Sequence, residues 1–212
     1  ALRTEHGVYA VRYAGIDEMK QVEQWLAMNK ATNFEEWRAA VALNHIQSFN
    51  FVYANRHGDI HFIHNAQLPV RAPGWNWQQY LPGNRSDLIW QRYHPTSALP
   101  QVTNPASGFV HSANQTPFNI TEPEDNPQPN AVPADGGWQT RMTNRATRGL
   151  ELFSDFEQIS FDEAWELKHD NSYSVNYRGI AFLSEVIALP RASDTVSPVS
   201  YTHLTLPTNS RV

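Results

Sequence analysis

The stretch FVYANRHGDIHFIHNAQLPVR, residues 51–71, predicts an antiparallel β-hairpin around which the other elements can be placed. Phe49 to Ala54 and Ile60 to His64 are rich in aromatic and β-branched residues, as strands usually are. Between them, Gly58 can supply the positive φ that a tight connection needs. An antiparallel sheet is therefore the first element of the predicted fold.

A short strand and two helices are expected before the hairpin. Val8 to Tyr13 is rich in β-formers and predicts the strand. Residues 17–29 show apolar side chains at helical spacing, and Asn33 with Glu36 is a capping pattern for a second helix. The apolar residues of the first helix, which we expect in a core or at an interface, are Met19, Val22 and Leu26.

After the hairpin, proline-rich segments alternate with short regular elements. Residues 65–107 and 119–137 carry a proline every few positions, which predicts loops rather than helices. Gly108 to Val110 predicts a short apolar strand between these loops. Helical spacing returns from Trp138, and Ser160 begins a second capping pattern. Strands and helices together indicate the α+β class.

The composition of the chain indicates which kinds of partner it is not expected to bind. The chain of 212 residues has a net charge of −5 and 12% aromatic residues, which is typical of a globular protein. Its Lys and Arg residues are scattered singly, so nucleic acid is not an expected partner. No apolar run approaches the roughly 18 residues that a membrane-spanning helix needs, so no membrane partner is expected either. The absence of cysteine excludes disulfides, thiolate metal sites and a cysteine nucleophile within this chain.

Three histidines in or near the hairpin, His57, His61 and His64, raise the question of a zinc site. Side chains of a strand alternate between faces, so positions 61 and 64 are expected on opposite sides of the sheet. They cannot converge on one ion without a bulge. We therefore predict no metal at these residues.

Several motifs occur in a characteristic order. They are FVYANRHGDIHFIHNAQLPVR (51–71), GWNWQQYLPG (74–83), NPASGFVHSANQTP (104–117), TRMTNRATRGLE (140–151) and SFDEAWEL (160–167). This order resembles the β-chain of penicillin acylases and of the related acyl-homoserine lactone acylases, which are N-terminal nucleophile hydrolases. The resemblance implies an internal fragment of that β-chain with a partial αββα sandwich, in which antiparallel sheets are flanked by helices.

The resemblance also divides the chain. Residues 1–198 are expected to form an internal part of the β-chain domain. Residues 199–212 look unlike the rest and resemble the translated read-through of a sequencing adapter. We therefore expect this tail to be non-native and exclude it from the fold.

The resemblance places two candidate catalytic residues. The oxyanion-hole asparagine of the family falls on Asn114, just before a polar residue and Pro117, and the arginine that opens the following helix falls on Arg141. When an amide carbonyl is attacked, its oxygen gains negative charge, and one preorganised donor there lowers the barrier by about 3 to 4 kcal/mol. Asn114 is thus predicted to donate its side-chain N–H, with Arg141 orienting the asparagine or the attacking amine.

The nucleophile is expected outside this chain. In the family it is a serine, threonine or cysteine at the start of the β-chain, and its own α-amino group acts as the base. Ala1 has no nucleophilic side-chain atom, and the chain contains no Gly-Ser-Asn processing junction. This polypeptide alone is therefore expected to be inactive.

The implied parent protein cleaves an N-acyl amide, and its expected partners are a small N-acyl substrate and the α-chain and remaining β-chain of the same precursor. An acyl-homoserine lactone acylase is the alternative within the family. Localisation in the periplasm or outside the cell is implied by the resemblance. No cofactor is expected, although calcium at Asp125 or Asp135 is a candidate that needs further oxygen ligands.

A rival from another class is a non-catalytic binding module. Its ligand platform would be the aromatic loop that carries Trp75, Trp77 and Tyr80. Aromatic residues in a proline-rich loop more often pin that loop to the body of the protein. We therefore expect the pinning role and keep the binding module as an alternative.

Overall fold

The structure, a computed structural model, describes residues 2–154, 156 and 158–189, which form two compact units. The first unit contains residues up to 112 together with 116–140. The second contains residues 113–115 and the described residues from 141 onward. The predicted tail 199–212, and with it the boundary at residue 198, lies outside the described residues.

The first unit contains two sheets and two α-helices among its described residues. In chain order these elements are β1 (Leu2–Thr4), β2 (Gly7–Tyr9), α1 (Gln21–Lys30), α2 (Phe34–Val41), β3 (Ser48–Ala54), β4 (Ile60–Ala66) and β5 (Gln101–Thr103). β1 and β2 form an antiparallel pair, and β3, β4 and β5 form an antiparallel sheet in that order. Short 3₁₀ turns lie at 86–88, 96–98, 123–125, 129–131 and 134–136.

The predicted hairpin is confirmed as β3 and β4. Phe51 pairs with Ile63 and Tyr53 with His61 in the register of the two strands. In the connection, Gly58 has a φ of 95°, as predicted for this turn. The Asn55 side chain closes the turn by accepting a backbone hydrogen bond from Asp59 at 3.0 Å.

Two sequence-predicted strands are wrong in extent or position. The first strand ends at Tyr9 instead of Tyr13. Gly108 to Val110 is not a strand, and the strand that pairs with β4 is β5. Gly108 has a φ of 78°, which does not fit an extended strand. The segment is held instead by the His111 N–H, which donates to the Ile120 carbonyl oxygen at 2.8 Å, so the predicted strand leading to Asn114 is an irregular segment.

The helices α1 and α2 pack their buried residues against the hairpin. The ring of Trp37 contacts Tyr53 and Phe51 at centroid distances of 4.8 and 6.2 Å. Asn33 caps α2 as predicted, since its side chain accepts from the Glu36 N–H at 2.9 Å. The core residues around this contact are Met28, Trp37, Ala40, Val41, Ile46, Phe51, Ile63, Leu68 and Leu99.

The apolar stripe predicted on α1 does not face this core. Met19 precedes the helix, and Met19, Val22 and Leu26 are 89%, 76% and 52% exposed. The buried face of α1 carries Gln24 and Met28 instead. The stripe therefore does not lie in the core of this chain, and its place at an interface stays a prediction. Hydrophobic periodicity did not reveal the buried face because Gln24 is polar.

The two hairpin histidines lie on opposite faces of the sheet, as their spacing predicted. His61 is 1% exposed and packs on the α2 side against Phe34 at a ring distance of 5.3 Å. His64 lies against Trp138 at 5.7 Å, and its Nδ1 is 2.7 Å from Oδ1 of Asn50. Each histidine therefore has a separate structural environment.

The second unit contains three helices among its described residues. They are α3 (Asn144–Ser154), α4 (Phe161–Lys168) and α5 (Arg178–Ala188). The Ser160 and Glu163 capping box at α4 is confirmed in both directions. α3 begins later than the predicted start at Trp138, because Thr143 caps it by accepting from the Ala146 N–H at 3.2 Å. Across the described residues, no helix is both long and apolar enough to cross a bilayer.

Candidate active site

The candidate active-site loop comprises residues 113–115 and holds Asn114 in an uncommon backbone conformation. Asn114 has a φ of 61°, in the left-handed region that asparagine tolerates better than most residues. Ala113 and Gln115 are 8% and 4% exposed, whereas Asn114 between them is exposed. The Ala113 N–H donates to Oε1 of Gln115 at 2.6 Å, which closes the loop on itself. The loop is therefore anchored on both sides of an accessible carboxamide.

Arg145, in the first turn of α3, fixes the orientation of that carboxamide. Its Nη2 donates to Oδ1 of Asn114 at 3.0 Å. A guanidinium carries only donors, so the atom that faces it must be the oxygen of the amide. The Nδ2 group of Asn114 then points away with two N–H donors, and no group among the described residues accepts from them. Such a pair of fixed donors suits an oxygen that gains negative charge.

Arg141 does not take the position that the sequence predicted for it. It is exposed and precedes α3, and no hydrogen bond or ion pair links it to another described residue. The family resemblance placed the arginine that opens this helix on Arg141. With the start at Asn144, that position belongs to Arg145. The catalytic roles of Asn114 and Arg141 stay predictions, but the arginine that contacts Asn114 is Arg145.

Arg145 was missed because the family motif was matched to Arg141, and general rules for helix starts do not point to an arginine in the first turn. The helix dipole favours carboxylates in the first turn and disfavours cations, typically by 0.3 to 1 kcal/mol. Arg145 breaks this rule, and its hydrogen bond to Asn114 offers a reason. Thr143 was the available signal, since threonine is a good N-cap and would have placed Arg145 in the first turn.

On another face of α3, polar side chains join the helix to residues 170–176, which we call the clamp segment. Arg148 donates to both carboxylate oxygens of Asp170 at 3.0 and 2.9 Å. Hydrogen bonds from this guanidinium hold the pKa of Asp170 below its usual value. Ser174 and Asn176 donate to Oε1 of Glu151 at 2.6 and 2.7 Å. Burial tends to raise the pKa of Glu151, but these donors and the nearby guanidinium outweigh it and lower the pKa.

The two carboxylates considered for calcium have protein donors. Asp125 accepts from the Ser107 N–H at 2.8 Å, and this hydrogen bond is the main cause that lowers the pKa of Asp125. Asp135 accepts from the Arg71 N–H at 3.2 Å. The described part of the chain contains no group of three or more His, Asp or Glu side chains able to hold a metal ion. Calcium would therefore need oxygen ligands from elsewhere, and its binding stays a prediction.

The aromatic loop makes contacts that favour the pinning role. The Trp77 indole N–H donates to the Ala72 carbonyl oxygen at 3.0 Å, and its ring meets Trp90 at 6.1 Å. The guanidinium of Arg85 lies over Trp75 at 5.6 Å. A cavity of about 600 Å³ elsewhere in the first unit is lined by α2, β4 and residues 93–97, and includes none of these aromatic residues. Trp75 and Trp77 thus pack against residues 72–90, whereas Tyr80 is 87% exposed and its ring contacts Tyr9 at 5.0 Å. None of the three lines that cavity.

Comparisons with known proteins assign the chain to a family. The sequence model of the penicillin amidase family matches residues 2–202. Penicillin G acylase from Escherichia coli is 25% identical over 155 residues, which cover 73% of this chain and 17% of that protein. The structure resembles a thermostable penicillin G acylase from Alcaligenes faecalis with a TM-score of 0.57 and 25% identity, over 88% of this chain and 31% of that one.

This structural likeness confirms the predicted α+β fold class of the N-terminal nucleophile hydrolases. The chain spans less than a third of the length of the two relatives. The family match covers all of the described residues, including the Asn114 loop and α3. The chain belongs to the penicillin amidase family.

Proposed function

We propose that the protein to which this chain belongs hydrolyses N-acyl amide bonds, and that Asn114 donates to the developing oxyanion. The observation that carries the proposal is the Asn114 carboxamide of an exposed residue, whose oxygen accepts from Arg145 at 3.0 Å and whose Nδ2 group has no acceptor among the described residues. Membership of the penicillin amidase family and the likeness to two penicillin G acylases support this class of reaction.

In the proposed reaction, a nucleophile attacks the carbonyl carbon of the substrate amide and its electron pair forms the new bond. The carbonyl π electrons move to oxygen, where Nδ2–H of Asn114 stabilises the charge. Collapse of the tetrahedral intermediate breaks the carbon–nitrogen bond, and the leaving amine takes a proton. Water then releases the carboxylic acid from the acyl-enzyme. A single oxyanion donor accounts for about 3 to 4 kcal/mol of this catalysis.

The nucleophile and its base are proposed to come from polypeptide outside this chain. Because the chain corresponds to 17% of the Escherichia coli relative, most of a complete protein would lie elsewhere. The α-chain and the remaining β-chain of one precursor are the proposed partners, and they would also line most of the acyl pocket. Export of the complete protein and the preference for penicillin-type or homoserine lactone substrates stay predictions.

The test uses the complete reading frame and two substitutions of Asn114. Asn114→Gly removes the donor but accepts the left-handed backbone, whereas Asn114→Ala also introduces strain of about 1 to 2 kcal/mol. The substrate panel contains N-phenylacetyl amides, N-fatty-acyl amides and N-acyl-homoserine lactones. We expect both substitutions to lower kcat for amide cleavage by roughly 10²- to 10³-fold. Only Asn114→Ala should lower the thermal midpoint noticeably.

A matched control is Asn104→Gly. Asn104 is also an exposed asparagine in the left-handed region, with a φ of 48°, but its side chain bonds within the first unit to Ile60 and Asp59. This variant should keep its kcat. Retention of full activity by Asn114→Gly would overturn the assignment of Asn114, and absence of amide hydrolysis in the unmodified protein would overturn the proposed function.

A further inference from the structure

We infer that the clamp segment, residues 170–176, is a positioning device for the site, and that Ser174 at its centre keeps Arg145 in place on Asn114. The catalytic consequence of this inference rests on the proposed function. The structural part does not, because it concerns only how α3 is held. All the residues involved belong to the second unit.

The clamp segment is hydrogen-bonded to one face of α3 along two turns. Asn144, Arg148 and Glu151 are spaced four and three residues apart, so they lie on the same side of the helix. Each of them bonds to the clamp segment. The Ser174 N–H donates to Oδ1 of Asn144 at 2.9 Å, and the hydroxyl of the same serine donates to Glu151 at 2.6 Å. Ser174 thus joins the first turn of α3 to its end.

The polar groups of this contact satisfy one another in a largely enclosed setting. Ser174 is fully buried, and the side chains of Arg148 and Asp170 are 30% and 18% exposed. Arg148 also lies 3.7 Å from Glu151, so the two acidic side chains share one cation. A hydrogen-bonded set of this kind favours one geometry, because each donor has an acceptor in a fixed place.

Holding this face also fixes the direction of Arg145. Successive residues of an α-helix are rotated by about 100°, so Arg145 lies on a neighbouring face, one residue after Asn144. A small rotation or shift of α3 would move the guanidinium away from Oδ1 of Asn114, because a hydrogen bond weakens steeply once distance and angle depart from their optimum. The clamp segment therefore determines whether the carboxamide keeps its orientation.

The experiment uses the complete protein with asparagine side chains labelled with ¹⁵N, so that one sample gives both a spectrum and kinetics. The Asn114 side-chain amide signal is assigned by its loss in Asn114→Gly. The principal variant is Ser174→Ala, which removes the hydroxyl. Ser174→Thr restores a hydroxyl at the same position. Ser86→Ala, the matched control, makes the same change at an exposed serine of the first unit, outside the clamp segment.

We expect Ser174→Ala to shift and broaden the Asn114 amide signal. It should also lower kcat by about 10- to 100-fold while KM changes less than about twofold, because small misplacements of catalytic groups act on the chemical step. Ser174→Thr should recover most of both properties, and Ser86→Ala should change neither. An unmoved Asn114 signal in folded Ser174→Ala would overturn the inference. A moved signal in a protein whose unmodified form hydrolyses no amide would uphold the clamp and refute the proposed function.

If Ser174→Ala does not fold, Glu151→Gln decides the question. Glutamine keeps an oxygen that can accept from Ser174 and Asn176 but loses the charge that faces Arg148. We expect a smaller shift of the Asn114 signal in the same direction. A folded Glu151→Gln protein with an unchanged signal would overturn the inference.

Discussion

The Arg145 guanidinium and the Asn114 carboxamide lie 31 residues apart in the chain and meet at 3.0 Å. The contact gives an exposed loop amide a definite orientation, because a side chain that can only donate selects the oxygen of the amide. An asparagine in a loop could otherwise present either end outward. In the proposed reaction the pair would act as one unit, with Asn114 as the donor to the oxyanion and Arg145 as its positioning residue.

The first prediction compares the two candidate arginines in the complete protein. Arg145→Ala should lower kcat at least about tenfold, or 1.4 kcal/mol, because the Asn114 amide is free to rotate. Arg145→Lys should recover only part of this loss, since lysine lacks the planar fork. Arg141→Ala tests the residue that the family resemblance indicated. A larger loss for Arg141→Ala than for Arg145→Ala would show that the contact in the structure is not the relevant one.

The difference between these arginines shows what the sequence could and could not establish. The family motif located the loop and the helix, and the Asn114 position followed from residues adjacent to Pro117. Which arginine opens α3 depends on where that helix begins, and helix boundaries are the least reliable part of a sequence-based prediction. A shift of a few residues in that start exchanged Arg141 for Arg145.

The hairpin was predictable and the segment before Asn114 was not, for a related physical reason. β3 and β4 combine β-branched and aromatic residues with a glycine at the turn, so propensity and turn chemistry agree. For Gly108 to Val110, only local hydrophobicity indicated a strand. Whether such a run becomes a strand depends on a partner, and β4 pairs with Gln101–Thr103 instead.

A second prediction concerns Gln24, a wholly buried polar residue that hydrophobic patterns do not reveal. Its oxygen accepts from the His45 and Ile46 N–H groups at 2.6 and 2.9 Å, and its nitrogen donates to the Val41 carbonyl oxygen at 3.2 Å. Gln24→Leu leaves these backbone groups without partners and should lower the free energy of unfolding by about 3 kcal/mol.

Urea denaturation of the 212-residue chain measures this loss. The control is Glu23→Ala on the exposed side of α1, which should stay within about 0.5 kcal/mol of the unmodified chain. Equal midpoints for Gln24→Leu and Glu23→Ala would mean that the buried amide contributes no stability through its hydrogen bonds.

A third prediction concerns the exposed apolar stripe of α1. Val22 is 76% exposed and lies beside Leu26, so the two form part of an apolar surface on this chain. Val22→Lys should reduce self-association of the 212-residue chain, because a charge interrupts that surface. Asn29→Lys adds the same charge at an exposed position of α1 and should have less effect. Light scattering at several concentrations compares the two, and equal association would refute the role of the stripe.

A fourth prediction concerns the pH dependence of stability through His61. Burial, reinforced by the positive charge of Arg38, lowers the pKa of His61 from 6.5 to about 4, although a hydrogen bond with the Val102 backbone opposes the shift. The folded state therefore keeps the neutral ring, and the unfolded state binds more protons between these values. The stabilisation is fully present above pH 6.5 and is lost as the pH falls towards 4, by about 3 kcal/mol in total.

His61→Gln tests this prediction because glutamine removes the titrating ring while retaining a side chain that can bond to Thr103, the partner of His61 at 2.7 Å. Free energies of unfolding measured from pH 7 to pH 4 should fall less steeply in the variant. Some slope should remain, since burial also lowers the pKa of His64. His57→Gln, at an exposed position of the hairpin turn, is the control and should keep the original slope. If His61→Gln and the control have the same slope, the protonation of His61 does not govern stability in this range.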